Sequence, residues 1–269
     1  MDSTGTTKWT GVLEEWAPTR AHALWRAHSD AINRSLLRRW LPSGDLGEVL
    51  KTDLFDEAVG DGLAGWLAPR TTRMVGVDLA PAVAEAAAAR WPAITTVVAD
   101  VRELPFESPS FDVVVSNSTL DHFPSFDSVV VAVRELARVT RPGGKLIITL
   151  DNRQNPIVAL RTSKALAGLF RRLGIVPYEL GATCGRRRLV GVLEDCGFTV
   201  KATEAIMHCP PQVASKLTDR FADGAGEELE ARHLRRVLRF EALSAWPTRY
   251  LTAHFIAACA IRDAGAGKI

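Results

Sequence analysis

No run of about 18 apolar residues occurs in this chain of 269 residues, so a membrane-spanning helix is not expected. Apolar residues nevertheless make up 47% of it, enough to bury a full core. The first residues lack a basic stretch followed by an apolar one, which predicts a chain without a secretory leader. Cysteine is scarce. Cys184, Cys196, Cys209 and Cys259 form no C-x-x-C pair and stand at no metal-ligand spacing. They read as reduced thiols of a cytoplasmic protein, and no metal is expected. His208-Cys209 lacks the further ligands that a metal site needs. Net charge is only +2, and no recognition motif accompanies it, so a nucleic-acid partner is not expected. The charge is uneven, however: residues 1–150 sum to −4 and residues 151–269 to +6. Either this is ordinary surface variation or the C-terminal half faces an anionic group. Internal repeats and low-complexity tracts are absent too, which leaves one large domain with insertions.

What is present alternates. Residues 7–41 carry Ala21, Leu24, Trp25, His28, Ile32, Leu36 and Trp40 at three- and four-residue steps, the period of one helical face. Pro18 opens this helix and Pro42 follows it. Val49–Phe55, Arg73–Val77, Thr95–Ala99, Phe111–Ser116 and Lys145–Leu150 then read as strands. Leu63–Ala68, Ala82–Trp91 and Phe126–Val139 read as helices between them. Strand and helix in turn predict an α/β fold, a mostly parallel sheet with helices on both faces. Beyond residue 150 the rhythm loosens. Helical insertions are expected near residues 156–185 and 211–246, a helix over Arg188–Cys196 and a strand over Phe198–Ile206. Tyr250–Ile261 suits a last strand, although its alanines also suit a helix. The expected division is a helical N-terminal cap over residues 1–44 and the sheet domain over residues 45–269.

The sharpest segment is Asp56-Glu57-Ala58-Val59-Gly60-Asp61-Gly62-Leu63-Ala64-Gly65, between a strand and a helix. Taken literally, Gly60-x-Gly62-x-x-Gly65 with the later Asp78 is a dinucleotide fingerprint, and an NAD(P)-dependent oxidoreductase is one reading. Three features favour S-adenosylmethionine. Asp56 and Glu57 would repel a pyrophosphate but suit an ammonium group. Asp100 ends the third strand, where an adenine amine can be met. Arg141-Pro142-Gly143-Gly144-Lys145 makes a tight turn before the fifth strand.

These segments together resemble the class I S-adenosylmethionine-dependent methyltransferases. Phe55–Gly62 is similar to their first motif, L-D-x-G-x-G-x-G, with Ala58 at the first glycine. Val75-Gly76-Val77-Asp78 resembles the second strand with its ribose acid, and Asp100–Phe106 the adenine-side segment. Phe111–Asn117 resembles the fourth strand and Leu136–Gly144 the helix and turn before the fifth. The resemblance covers roughly residues 46–151, with the five motifs in order. It implies a Rossmann-like sheet of seven strands in the order 3-2-1-4-5-7-6, the last antiparallel. It also implies S-adenosylmethionine as cofactor, S-adenosylhomocysteine as product, and a small, partly apolar metabolite as acceptor, in specialised metabolism. A chain that binds the cofactor without transferring its methyl is the remaining alternative.

The resemblance assigns the cofactor to Asp56, Glu57, Ala58, Gly60, Gly62, Asp78, Leu79, Asp100, Val101 and Asn117. Asp78 would accept from the ribose hydroxyls, as an acceptor-only carboxylate can; its bland role is a helix cap. Leu79 and Val101 would sandwich the adenine and Asp100 would meet its amine. Asn117-Ser118-Thr119-Leu120-Asp121-His122-Phe123 follows the fourth strand at the sheet edge where ligands bind. His122 is the candidate general base and Asp121 the next; His122 otherwise packs over the cofactor. Trp25, His28 and His122 are candidates for the acceptor pocket, although a histidine such as His28 is also an ordinary core residue. Arg232, Arg235, Arg236 and Arg239 fall on one helical stripe, either a solvated face or an anion site.

Overall fold

The computed structural model describes residues 11, 20–162, 181–210 and 227–265. Helix α1 spans Arg20–Trp40 and is followed by β1 (Glu48–Thr52), α2 (Phe55–Val59) and α3 (Ala64–Leu67). Next come β2 (Arg73–Asp78), α4 (Pro81–Arg90), β3 (Ile94–Val98) and β4 (Phe111–Asn117). A short 3₁₀ turn, Leu120–His122, leads to α5 (Phe126–Val139), β5 (Thr140–Asp151) and α6 (Pro156–Arg161). The C-terminal part holds α7 (Arg186–Asp195), β6 (Phe198–Ile206), α8 (Glu227–Leu238), α9 (Arg249–Thr252) and β7 (Phe255–Arg262). Trp9, Trp16, residues 163–180 of the first expected insertion and residues 211–226 of the second lie outside the described residues. Among the described residues no helix is long and apolar enough to cross a membrane.

The seven strands lie in the order β3-β2-β1-β4-β5-β7-β6. All pairings are parallel except those of β7, which runs antiparallel to β5 and β6. This is the topology that the resemblance implied. It suits strands covered on both faces: β4 and β5 carry the apolar runs Val113–Val115 and Leu146–Ile148, and four of the five residues of β1 are buried in succession. Helix α5 shows how a face is chosen. Val129, Ala132, Val133, Leu136 and Ala137 recur at helical spacing and are buried, and burying each large apolar side chain stabilises by roughly 1.5–3 kcal/mol. The Ser125 hydroxyl caps the helix by accepting from Ser128 N at 3.2 Å.

Two sequence expectations shift. The Arg141–Lys145 turn is absorbed into β5 as a bulge, and pairing with β4 jumps from Thr140 to Lys145. Gly143 there has φ +77°, and a side chain on Gly144 would strike the Arg141 and Asp112 carbonyls. The expected strand over Val49–Phe55 stops at Thr52, and Phe55 already opens α2. Ile32, Leu36 and Leu37 of α1, with Leu41 just after it, join the core cluster of Val49, Met74 and Val113. The helix therefore packs as part of one sheet face.

Candidate functional site

The parallel strands end on one edge, and the chain turns there decide what a ligand meets. The turn after β1 is Thr52-Asp53-Leu54-Phe55, without glycine. Asp53 takes a left-handed backbone, φ +80°, a conformation that Asp tolerates better than most residues. Its Oδ1 accepts from Phe55 N at 2.9 Å and so holds the turn. Thr119 Oγ1 donates to the Thr52 carbonyl at 3.0 Å and ties this turn to the one after β4.

A cavity of about 140 Å³ opens at this edge. Its walls include Thr52 of β1 with Asp53 and Phe55 just after it, Asp78 of β2 with Leu79 after it, Asp100 and Val101 after β3, and Thr119, His122 and Phe123 after β4. Of the residues singled out in the sequence, Asp78, Leu79, Asp100, Val101 and His122 are thus brought together. Thr52, Asp53, Phe55, Thr119 and Phe123 join them without having been singled out. Only Asp53, a charged residue at a strand end, carried a visible signal.

Asp78 bridges two turns: Oδ2 accepts from Leu54 N at 2.9 Å and Oδ1 from Ala80 N at 2.8 Å. Each oxygen keeps a second lone pair for a ligand hydroxyl. Burial raises the Asp78 carboxyl above its ordinary range, against those two hydrogen bonds. Asp100 faces Arg102, whose backbone N–H and guanidinium both donate to it. Burial alone would raise Asp100, but the Arg102 hydrogen bonds outweigh it and hold the carboxyl low. Asn117 is buried at the end of β4, with its Oδ1 unpartnered, and stands outside the cavity lining.

The glycine segment lies elsewhere. Asp56, Glu57 and Ala58 are inside α2, and Gly60 and Gly62 follow it; none of the five lines the cavity. Glu57 is fully buried and pairs with Lys51 at 2.8 Å, and its Oε1 accepts from Leu63 N at 2.8 Å. Gly62, φ +53°, has no room for a side chain because the Glu57 carboxylate fills the space. Helix α1 covers the segment: Arg26 Nη2 donates to the Val59 carbonyl at 3.3 Å and Arg34 Nη2 to that of Gly62 at 3.1 Å. Burial would lower the Lys51 ammonium, but Glu57 and Asp53 beside it outweigh this and raise it. Burial raises Asp53, Asp56 and Asp30, with further raising from neighbouring acids. Asp30 is pushed up to about 7.

The chain after β4 holds a buried acid pair. Asp121 Oδ2 accepts from Asp151 N at 3.3 Å, and its Oδ1 has no hydrogen-bond partner but lies 3.8 Å from His122 Nε2. Burial pushes the Asp121 carboxyl up to about 7. Asp151 Oδ1 lies 3.3 Å from His254 Nε2, and burial pushes His254 down to about 4. Trp25 and His28 stand apart from this edge. They contact each other edge to face at 5.7 Å and lie near Cys209, Leu234 and Val237. His28 is 1% exposed, both its ring nitrogens lack a partner, and burial and His233 push it down to about 4. The Arg232, Arg235, Arg236 and Arg239 stripe is exposed on and just beyond α8.

In sequence and in fold the chain is similar to known methyltransferases. A family model described as a methyltransferase domain matches residues 56–148. A protein of Mycolicibacterium smegmatis named a probable S-adenosylmethionine-dependent methyltransferase is 28% identical over 67% of this chain. One of Mycobacterium tuberculosis with the same description is 27% identical over 72% of this chain. The alignments span 60% and 63% of the length of those two relatives. Among solved structures, the N-methyltransferase NodS of Bradyrhizobium japonicum, in complex with S-adenosyl-L-homocysteine, superposes with a TM-score of 0.53. It covers 94% of this chain and 97% of its own at 17% identity. The cyclase SpnF superposes with a TM-score of 0.57 at 15% identity, over 97% of this chain and 93% of its own. At such identities the likeness is one of fold.

Proposed function

We propose that this chain, whose residues 56–148 match a methyltransferase-domain model, is a class I S-adenosylmethionine-dependent methyltransferase that transfers a methyl group to a small, partly apolar metabolite. The observation that carries the proposal is the single cavity uniting Asp78, Leu79, Asp100, Val101 and His122 at the ends of β1–β4. Its chemistry fits the cofactor. Asp78 offers free lone pairs to ribose hydroxyls, Leu79 and Val101 offer apolar faces to an adenine, and Asp53 offers a carboxylate to an ammonium. The cavity is smaller than the roughly 300 Å³ of a typical ligand pocket, so a whole cofactor requires the rim at His122 and Phe123 to give way.

When bound, S-adenosylmethionine supplies a sulfonium methyl that is already electrophilic. The chain's task is then to hold the acceptor in line and exclude water. His122 Nδ1 takes the proton of an oxygen or nitrogen acceptor, while Nε2 stays near Asp121, whose buried carboxyl stabilises the imidazolium once it is ionised, above about pH 7. A carbon acceptor needs no such base. Helix α1, the described part of the expected cap, covers the glycine segment through Arg26 and Arg34. The site belongs to a cytoplasmic enzyme of specialised metabolism, with no nucleic acid as substrate.

The nicotinamide reading loses its footing, because Gly60-x-Gly62-x-x-Gly65 stands behind α2 and beneath α1, away from the cavity. One feature favours a binder that does not transfer the methyl: the turn after β1 has no glycine where a cofactor approaches. The test uses the protein with methyl-labelled S-adenosylmethionine and a panel of metabolite acceptors. Release of S-adenosylhomocysteine with label in an acceptor supports transfer. Binding without turnover on any acceptor favours the binder, and binding of NAD(P) alone overturns both.

A further inference from the structure

A second and larger cavity, about 740 Å³, lies beside α7 and is lined by Gln154, Gly185, Arg186, Arg187, Arg188, Thr203, Pro247, Arg249 and Tyr250. Four of the nine residues are arginines, and none is an acid. These arginines come from two stretches of chain 61 residues apart and meet only through the fold. No carboxylate within ion-pair distance neutralises them among the described residues. Their recorded partners are aromatic rings instead. The Arg186 and Arg249 guanidiniums lie 5.7 and 5.3 Å from the Tyr250 ring, and that of Arg188 lies 3.6 Å from Phe126. Stacking on a ring orients a guanidinium without consuming its in-plane donors. Tyr250 is itself fixed, its hydroxyl 3.2 Å from Thr203 Oγ1.

The placement ties this cavity to the acidic one. Residues 123–126 and 182–185 form a wall between them. Ala182 N donates to the carbonyl of Phe123, which lines the acidic cavity, at 2.6 Å. Three residues further, Gly185 lines the basic one. On the other strand, Asp151 near Asp121 continues through Asn152, bridged to Cys184, to Gln154 in the basic lining. A molecule anchored in the basic cavity is therefore held next to the 3₁₀ turn that carries His122.

We propose that this cavity is an anion subsite for the acceptor, which carries a phosphate, diphosphate or carboxylate group held by Arg186, Arg187, Arg188 and Arg249. The proposal rests on the methyl-transfer reading for the word acceptor, and on the cavity alone for the anion. A concave surface with four cations and no acid concentrates positive potential. Guanidiniums meet the planar or tetrahedral oxygens of such groups with paired donors. The +6 balance of residues 151–269 is in part this cluster.

The probe is inorganic pyrophosphate, titrated calorimetrically into the full chain, with S-adenosylmethionine titrated in parallel. Pyrophosphate should bind, more weakly as salt shortens the Debye length from about 10 Å at 0.1 M to about 3 Å at 1 M. Arg249→Ala and Arg186→Ala should each weaken it roughly tenfold, the loss of one charge-assisted contact. Arg249→Lys, which keeps the charge, should retain part of the affinity in a variant whose folding is checked by circular dichroism. S-adenosylmethionine affinity should stay unchanged in all three. Absence of pyrophosphate binding overturns the subsite while leaving methyl transfer standing if S-adenosylmethionine still binds. Binding of pyrophosphate without S-adenosylmethionine leaves the anion site and removes the methyl-transfer reading. Binding of phosphatidylglycerol vesicles or an oligonucleotide through these arginines, with pyrophosphate silent, also overturns the proposal.

Discussion

The cavity at the ends of β1–β4 is lined by Asp53, Asp78 and Asp100 with Arg102 and His122, whereas the cavity beside α7 presents four arginines and no acid. Both lie toward the same sheet edge, separated by two short segments of chain, yet they are opposite in sign. The difference teaches how one fold sorts two ligands. A cofactor bearing a sulfonium and an ammonium is favoured in the acidic cavity and repelled by the basic one. An anionic acceptor meets the reverse. The acids are also built differently from the arginines. Asp78 and Asp100 are held by backbone or guanidinium donors, while Arg187 and Arg188 are exposed at the mouth of their cavity. One site is set by the sheet, the other by a helix start and a loop.

The comparison breaks most visibly at the wall. If His122 serves the acidic cavity as a base, His122→Ala should lower turnover on an oxygen or nitrogen acceptor by roughly 10²–10⁴-fold. Single-turnover rates at saturating S-adenosylmethionine would check this, and unchanged rates would leave His122 as packing. Behind the acidic cavity, Lys51→Met should cost about 3–5 kcal/mol, because it strands the buried Glu57 carboxylate. Urea unfolding measures it. The double variant with Glu57→Gln should recover much of the loss; no recovery would mean that Glu57 is not the reason.

The acid pair between the cavities should show in pH dependence. The Asp121 carboxyl titrates near 7 when folded and near about 3.9 when unfolded. The folded state then holds the extra proton between those values. This group's stabilisation is full below about pH 4 and is lost as pH rises toward 7, by at most about 1.4 kcal/mol per pH unit. His254, pushed down to about 4, acts in the opposite direction over the same window: its stabilisation is present above 6.5 and lost as pH falls. Asp121→Asn removes the first effect, together with the raising that Asp121 exerts on the buried Asp151 carboxyl, and leaves that of His254. Its stability should therefore rise more steeply from pH 4 to 7 than that of the parent chain, and parallel curves would refute the assignment. Smaller still is Ala58→Gly. In α2 it should cost about 1 kcal/mol of stability and leave S-adenosylmethionine binding as it was, because Ala58 packs with Leu54 and Val83 rather than lining the cavity.

Much of this was legible in the chain itself. Phe126–Val139 and Phe198–Ile206 have the observed bounds, because a capped helix with a regular apolar stripe and a strand bounded by Gly197 both announce their ends. Asp78 and Asp100 stand in the cavity because acids at strand ends face the ligand edge of a parallel sheet. The segment after β1 was not legible. Its spacing matches a glycine motif, but Phe55–Val59 forms a helix once Lys51 and Glu57 pair, and a buried ion pair six residues apart has no periodic signature. The basic cavity left only a trace, the charge excess of the C-terminal half. Arg186 and Arg249 become neighbours through β6 and β7 pairing, which composition does not encode.

The central claim is that the two cavities take different ligand groups independently. A crossed calorimetric titration tests it most directly, with S-adenosylmethionine and pyrophosphate each run against Asp78→Ala and Arg249→Ala. Asp78→Ala should weaken S-adenosylmethionine by about 1.5–3 kcal/mol and leave pyrophosphate unchanged. It should also lower fold stability, since Leu54 N and Ala80 N lose their acceptor. Arg249→Ala should weaken pyrophosphate alone. Equal S-adenosylmethionine affinity in Asp78→Ala and the parent chain, or loss of that affinity in Arg249→Ala, would contradict the account.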